Sequence, residues 1–121
     1  MKLFFKGFGF ALNGIREMIK RERNFRFELV IFVLVIIAGA YFSISLVEWI
    51  AVLTVSALVL SLEMINTSVE KICDLYSKEN DNRIKVIKDV AAGAVLVSAV
   101  IAAIIGVIVF WKYFVALIGS F

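Results

Sequence analysis

The chain has 121 residues, 63% of them apolar, with a mean hydropathy of +1.02 and a formal net charge of +3. Hydropathy this high excludes an ordinary soluble domain and the length allows one domain, so we predict a single integral membrane domain over residues 1–121. One cysteine and no histidine exclude an internal disulfide and a zinc site built from Cys and His.

The N-terminal segment, residues 1–25, has the pattern of a helix that lies on a membrane surface. Apolar residues such as Phe4, Phe8, Ala11 and Ile15 recur at spacings of three and four, and the basic residues fall largely elsewhere on the helix. A basic amphipathic helix of this kind binds anionic lipid at the interface. We predict a surface helix here, which could also form one wall of an active site.

Three uncharged runs follow, Leu29–Val47, Trp49–Leu62 and Val90–Trp111. A helix needs roughly 20 apolar residues to cross the hydrocarbon core of a bilayer. The second run reaches this length only if its helix continues through the charged residues to Tyr76. We therefore predict an all-α fold with membrane-spanning helices at 29–47, 49–76 and 88–111 and a loop at 77–87.

The basic residues indicate how the protein is oriented. Seven Lys and Arg residues precede the first run, five lie between Lys71 and Lys88, and only Lys112 follows the third run. By the positive-inside rule, the N-terminus and the 77–87 loop face the cytoplasm and the C-terminus lies outside. We predict a multi-pass protein of the plasma membrane, which is the inner membrane in cells with two.

Four polar residues form a stripe on the second predicted span. Glu63, Asn66, Glu70 and Asp74 are spaced three, four and four, so they share one helix face. Counted from Trp49 at 1.5 Å per residue, Glu63 lies roughly 20 Å inward, within a hydrocarbon core of ~30 Å. An ionised carboxylate at that depth costs roughly 2.5–3.5 kcal/mol, so it usually faces the protein interior or a polar cavity.

The stripe has two interpretations. Glu63 is placed to act as a general base on a hydroxyl at the membrane boundary. Glu70 and Asp74, in wetter surroundings, suit a divalent cation, since Mg²⁺ takes one or two carboxylates together with substrate phosphates. These groups together predict phosphoryl transfer to a lipid alcohol. Alternatively, the stripe only pairs helices or binds a cation in a small, non-enzymatic membrane scaffold.

Three segments resemble signature blocks of the prokaryotic diacylglycerol kinase family, which includes undecaprenol kinases. They are ERNFRFE at 22–28, SLEMINTSVEKICDL at 61–75 and IKDVAAGAV at 87–95, and the likeness covers nearly the whole chain. The resemblance implies a small homotrimeric lipid kinase, with three spans and a surface helix per subunit, that uses ATP and Mg²⁺. The sequence carries none of the motifs of P-loop or protein kinases.

The resemblance also implies a role for each matching residue. Glu63 corresponds to the general base on the lipid hydroxyl, and Glu22 and Glu70 to the carboxylates that hold the metal with ATP. The nucleotide is expected at Phe10, Glu22, Glu70, Glu79, Asp81, Lys88 and Asp89. The lipid headgroup is expected at Asn24, Phe25, Arg26, Phe27, Glu28, Glu63 and Ala92, with supporting roles for Asn66 and Asp74.

The likeness is greater to the undecaprenol kinase branch, in ERNF at 22–25, VEW at 47–49 and DVAAGAV at 89–95. It implies undecaprenol as the substrate and undecaprenyl phosphate as the product. Diacylglycerol, which would be converted to phosphatidic acid, stays the alternative substrate because both lipids offer a primary hydroxyl beneath a long apolar tail.

Overall fold

The fold consists of four α-helices and no strands, in a computed structural model that describes all 121 residues. The helices are α1 (Lys2–Arg21), α2 (Arg23–Phe42), α3 (Leu46–Tyr76) and α4 (Asn82–Gly119). Of these, α2, α3 and α4 are long and apolar enough to cross a membrane. This confirms the predicted fold class, a multi-pass membrane protein with three spans and a separate N-terminal helix.

The chain bends at Glu22, where α1 ends and α2 begins. Glu22 has an extended backbone, with φ −107° and ψ 107°, so the helix cannot continue through it. Arg26 stabilises the bend, because its Nη1 donates hydrogen bonds to the carbonyl oxygens of Ile19 and Lys20 at 2.9 and 3.0 Å. These bonds satisfy carbonyls that the end of α1 leaves without helical partners. The surface helix therefore ends before residue 25, and α2 begins six residues before the predicted span at 29.

The turn between α2 and α3 is made by residues 43–45, inside the first uncharged run. Ser43 adopts the left-handed conformation with φ 51°, and Ser45 caps α3. Ser45 Oγ accepts from the Glu48 N–H at 3.2 Å, and Glu48 Oε1 accepts from the Ser45 N–H at 3.0 Å. This reciprocal capping box starts α3 at Leu46. The predicted span at 29–47 consequently overran the end of α2, since apolar side chains continue through the turn.

The end of the molecule where this turn lies, which we call the outer end, contains the buried core cluster. Ile44, Val52, Val109 and Phe110 form a buried cluster between the helices. The indole of Trp49 packs directly over Gly39, so a Cβ added at Gly39 would lie only 2.6 Å from Trp49 Cη2. Glycine at this position therefore lets α2 and α3 approach closely.

Two polar contacts join the start of α3 to the end of α4. The Tyr113 hydroxyl donates to Glu48 Oε1 at 2.6 Å, and Lys112 Nζ lies 3.1 Å from Glu48 Oε2. Glu48 thus caps its own helix and also holds α4. Lys112, Tyr113 and the adjoining Trp111 are residues typical of a membrane–water interface.

The central helix of the fold is α3, which packs against both α2 and α4. At the outer end α2 and α4 also meet, because the ring of Phe42 contacts Phe110, Tyr113 and Phe114 at centroid distances of 5.1–6.3 Å. Below this aromatic contact, α2 and α4 border a cleft that has α3 as its floor. We call it the α2–α4 cleft.

Most of the remaining surface of the spans is apolar and exposed, since only 15 of 121 residues are buried. Such a surface is stable only against lipid or another protein. The same holds for α1, which exposes Phe4, Phe5 and Phe8. The exposed apolar surface therefore agrees with a membrane location for the whole chain.

Candidate active site

The polar stripe lies along the C-terminal half of α3, and its members differ in exposure. Glu63 and Asn66 are buried, at 5% and 8% exposure, whereas Glu70 and Asp74 are exposed. Asn66 Nδ2 donates to Glu70 Oε1 at 3.4 Å, which links the buried and exposed halves. The predicted shared face is therefore observed, with a protein-enclosed carboxylate at one end and accessible carboxylates at the other.

The bend at Glu22 brings two further carboxylates to the stripe. Glu63 interacts electrostatically with Glu22 and Glu70, and Glu28 on α2 interacts with Glu63. The carboxyl groups of Glu22, Glu28 and Glu70 thus surround that of Glu63, and we call these four groups the carboxylate cluster. Like charges that interact in this way repel one another, so a bound proton or cation would stabilise the cluster.

Two buried oxygen atoms in this region have no hydrogen-bond partner, Glu28 Oε2 and Asn66 Oδ1. Buried polar atoms in proteins are nearly always satisfied, and an orphan atom needs an explanation. Both are acceptors, so the missing partners are donors or a cation. A ligand with a hydroxyl group or a bound metal ion would supply them.

The donor set of the carboxylate cluster fits Mg²⁺ only when phosphate ligands are added. Carboxylate oxygens are the ligands that Mg²⁺ prefers, but no group of three or more Asp, Glu, Cys or His side chains is arranged to hold a metal by itself. Mg²⁺ characteristically uses one or two carboxylates together with substrate phosphates. Glu22 and Glu70 are thus suited to a metal that arrives with a nucleotide.

The beginning of α4 is tied to the exposed end of the stripe. Lys88 Nζ lies 2.7 Å from Asp74 Oδ1, and Lys85 Nζ lies 2.6 Å from Asp89 Oδ2. Lys88 and Asp89, both predicted to bind the nucleotide, are therefore each in an ion pair within the chain. All four side chains are at least one-third exposed, so they are accessible from solvent.

The other two residues predicted to bind nucleotide in this region lie in the short connection between α3 and α4. Asp81 caps α4, accepting from the Arg83 N–H at 2.8 Å and from Arg83 Nη2 at 2.9 Å. The side-chain hydrogen bond from Arg83 is the main cause that lowers the pKa of Asp81 to about 2. No hydrogen bond or ion pair joins Glu79 or Asp81 to the carboxylate cluster. The cap at Asp81 also shortens the connection, because α4 begins at Asn82 and the predicted loop extended to residue 87.

The residues expected at the lipid headgroup occupy different environments. Phe25 is buried, and Arg26 is engaged in capping α1, whereas Asn24 and Ala92 are exposed. Only Phe27 and Glu28 line the α2–α4 cleft. Phe10, expected near the nucleotide, is exposed on α1.

Sequence reasoning missed the residues that shape the rest of the cleft. Its floor on α3 includes Val52 and Ser56, and its wall on α4 consists of small residues, Ala99, Ala102, Ala103 and Gly106. Their spacing of three, one and three places them on one helix face. This periodic pattern of small side chains was the sequence signal that could have indicated the α4 wall of the cleft.

The fold and the site together define a class of protein: a small membrane protein with three spans and a cluster of carboxylates that gathers around the buried Glu63. Comparison with known proteins identifies the family. The sequence model of the prokaryotic diacylglycerol kinase family matches residues 9–110.

Curated relatives show the same. The chain is 40% identical to the undecaprenol kinase of Bacillus subtilis over 107 residues, covering 88% of this chain and 87% of that protein. It is 34% identical to a diacylglycerol kinase of Synechocystis, covering 82% of this chain and 57% of that protein. It is 25% identical to the diacylglycerol kinase of Escherichia coli, covering 90% and 89%. The chain belongs to the prokaryotic diacylglycerol kinase family, and these three relatives are lipid kinases.

Proposed function

We propose that this protein transfers the terminal phosphoryl group of ATP to the hydroxyl of undecaprenol, producing undecaprenyl phosphate and ADP. The observation that carries the proposal is the environment of Glu63, which is 5% exposed and interacts with Glu22, Glu28 and Glu70. A buried carboxylate beside other carboxylates suits proton transfer and metal binding in one place. The 40% identity to an undecaprenol kinase supports the choice of lipid.

In this mechanism Glu63 accepts the proton of the lipid hydroxyl as the oxygen attacks phosphorus. The bond that forms joins the lipid oxygen to the terminal phosphorus, and the bond that breaks joins that phosphorus to the oxygen retained by ADP. Glu22 and Glu70 would hold Mg²⁺ together with the phosphates. When bound, the metal neutralises charge on the phosphate oxygens. Asn66 orients Glu70 through its hydrogen bond.

The nucleotide lies at the exposed end of the stripe in this proposal. Lys88 provides a positive charge for the phosphates, and Asp89 is the next residue on α4. Phe10 on α1 offers a ring on which adenine can stack. Glu79 and Asp81 lie farther from the carboxylate cluster, in the connection between α3 and α4. They contribute less to nucleotide binding, because Asp81 already accepts hydrogen bonds from Arg83.

The lipid headgroup lies against residues 24–28 and Ala92, with Glu63 beside the hydroxyl. The substrate then approaches from the inner leaflet, with the N-terminus in the cytoplasm and the C-terminus outside. We further propose a homotrimer, which the large exposed apolar surface of the three spans supports. Contact with other copies would cover part of that surface.

Diacylglycerol is the second candidate substrate, and the relatives from Synechocystis and Escherichia coli favour it. A substrate panel separates the two. Purified protein in mixed micelles is given Mg-ATP with undecaprenol, diacylglycerol or a short-chain alcohol at matched surface concentration. A higher kcat/KM for undecaprenol is expected, and a higher value for diacylglycerol would replace the first choice with the second.

The general base is tested with Glu63→Gln. This change should lower kcat at least roughly 100-fold, the scale of general base catalysis, and leave the oligomeric state unchanged. Glu17→Gln is the matched control, since Glu17 is an exposed carboxylate on α1 that pairs with Arg21. If the wild-type protein phosphorylates no lipid and Glu63→Gln disperses the oligomer, the protein is a scaffold and the enzymatic proposal fails.

A further inference from the structure

The α2–α4 cleft has a defined length and two different ends. Its volume is about 360 Å³. The lining ends at Val35 on α2 and Gly106 on α4, short of the aromatic contact of Phe42 with Phe110 and Phe114. Glu28 lies at the opposite, inner end. The lining runs from Phe27 to Val35 on α2, a rise of about 12 Å at 1.5 Å per residue. The cleft therefore runs along the membrane normal, from the carboxylate cluster toward the bilayer centre.

The size of the cleft limits what fills it. Its volume falls in the range of roughly 300–1,000 Å³ found for small-molecule pockets. The lining is apolar except near Glu28 and Ser56. A single hydrocarbon chain fits this shape and chemistry.

A polar group of a ligand would be satisfied at the inner end of the cleft. Glu28 lines the cleft, and its Oε2 atom is buried without a hydrogen-bond partner. Glu28 also interacts electrostatically with Glu63. A hydroxyl at this end would thus be next to the carboxylate that we assign as general base, with its hydrocarbon chain extending toward the aromatic contact.

We infer that the α2–α4 cleft receives one hydrocarbon chain of the lipid alcohol and selects substrates with a single tail. The inference rests on the kinase function proposed above. Lipid tails are as apolar as the lining, so a chain gains little affinity by leaving the bilayer, and the cleft discriminates by shape. A polyprenyl alcohol carries one tail. The second acyl chain of diacylglycerol branches at the carbon next to the one that bears the hydroxyl, so its two chains would have to share a cleft of about 360 Å³.

The small residues of the α4 wall allow a direct test. Ala103→Leu adds three carbon atoms to the wall, and Ala94→Leu makes the same change on the opposite, exposed face of α4. Ala103→Leu should lower kcat/KM for undecaprenol at least about tenfold, as overfilling a packed site does. Dimethylallyl alcohol has the same allylic head without the tail, and its kcat/KM should change less than about threefold. Ala94→Leu should change neither value by more than about twofold.

Selection against two tails is tested by widening the α2 wall. Phe32 lines the cleft, and Phe32→Ala should raise kcat/KM for diacylglycerol relative to undecaprenol about tenfold, the scale on which pocket size discriminates between substrates. An unchanged ratio would refute selection by shape.

The Ala103→Leu variant has its own contrary outcome. Equal losses of activity toward undecaprenol and dimethylallyl alcohol in this variant, or dispersal of the oligomer, would show that the α4 wall packs against helices rather than against a lipid tail.

A second readout does not depend on turnover. An undecaprenol analogue with a photoreactive diazirine in its first isoprene units should label residues 52–60 or 99–106, in competition with undecaprenol, and Ala103→Leu should reduce the labelling. Labelling confined to other faces of the helices would overturn the inference. If the protein phosphorylates no lipid but this labelling persists, the proposed function fails while the cleft remains a lipid site.

Discussion

The ion pair between Lys88 and Asp74 allows nucleotide binding to be separated from helix packing. Lys88 Nζ lies 2.7 Å from Asp74 Oδ1, and we place Lys88 beside the phosphates of ATP. Lys88→Gln removes the ion pair and any phosphate contact. Asp74→Asn removes only the ion pair and leaves the ammonium group in place.

The exposure of the two side chains sets the expected magnitudes. They are 37% and 55% exposed, so water screens the pair, and ion pairs of this kind change an equilibrium constant by less than about fivefold. A hydrogen bond between an ammonium group and a phosphate contributes roughly 10- to 150-fold. We therefore expect Lys88→Gln to raise the KM for ATP at least about tenfold, and Asp74→Asn to change it less than about fivefold.

The assay is an ATP titration at saturating undecaprenol, with ADP release as the signal. Lys85→Gln is the matched control, since Lys85 lies one turn earlier on α4 and is also in an ion pair, with Asp89. The KM of Lys85→Gln for ATP should stay within about fivefold of the wild-type value. If Lys88→Gln, Asp74→Asn and the double variant all raise KM equally, Lys88 acts only through the ion pair, and its assignment to the nucleotide is wrong.

Three further predictions concern the metal, the packing and the α4 cap. Glu70→Gln and Glu22→Gln should each raise the Mg²⁺ concentration needed for half-maximal rate, because each removes a carboxylate ligand; unchanged Mg²⁺ titrations in both would reject the assignment. Gly39→Ala should lower thermal unfolding stability by about 1–3 kcal/mol relative to Gly93→Ala, since the new methyl group meets Trp49 whereas the Gly93 position is open; equal stabilities would refute the close contact. The lowered pKa of Asp81 means that its cap is intact above about pH 4 and is lost as the pH falls toward about 2. A carboxyl NMR titration should show that midpoint, and Arg83→Gln should move it upward; a midpoint near 4 in the wild-type protein would contradict the contact.

The sequence predicted which segments are helical better than it predicted where the helices end. Hydropathy marks the residues that suit hydrocarbon, whereas a helix ends where its backbone is capped. The turn at Ser43 and Ser45 lies inside an uncharged run, so hydropathy did not reveal it, although Ser45 and Glu48 have the spacing of a capping box. At the other end, Asp81 starts α4 among charged residues that hydropathy assigns to a loop.

The candidate site also has a part that the sequence predicts and a part that depends on how the helices pack. The stripe from Glu63 to Asp74 follows from the period of a single helix, and the structure shows it on one face. The positions of Glu22 and Glu28 beside Glu63 depend on the bend between α1 and α2 and on how α2 packs against α3. No local pattern contains that information, and only the family resemblance pointed to Glu22. The α2–α4 cleft is likewise a product of three helices.

The bend at Glu22 links the membrane surface to the proposed metal site. Because its backbone is extended, α1 leaves the axis of α2 and can lie in the interface while α2 crosses the bilayer. The carboxylate of the same residue interacts with Glu63. Arg26 fixes the angle by binding the last carbonyls of α1, so the position of α1 on the lipid surface and the position of Glu22 in the carboxylate cluster are set by one group of hydrogen bonds. A lipid kinase built in this way aligns its proposed metal ligand with the surface from which its substrate comes.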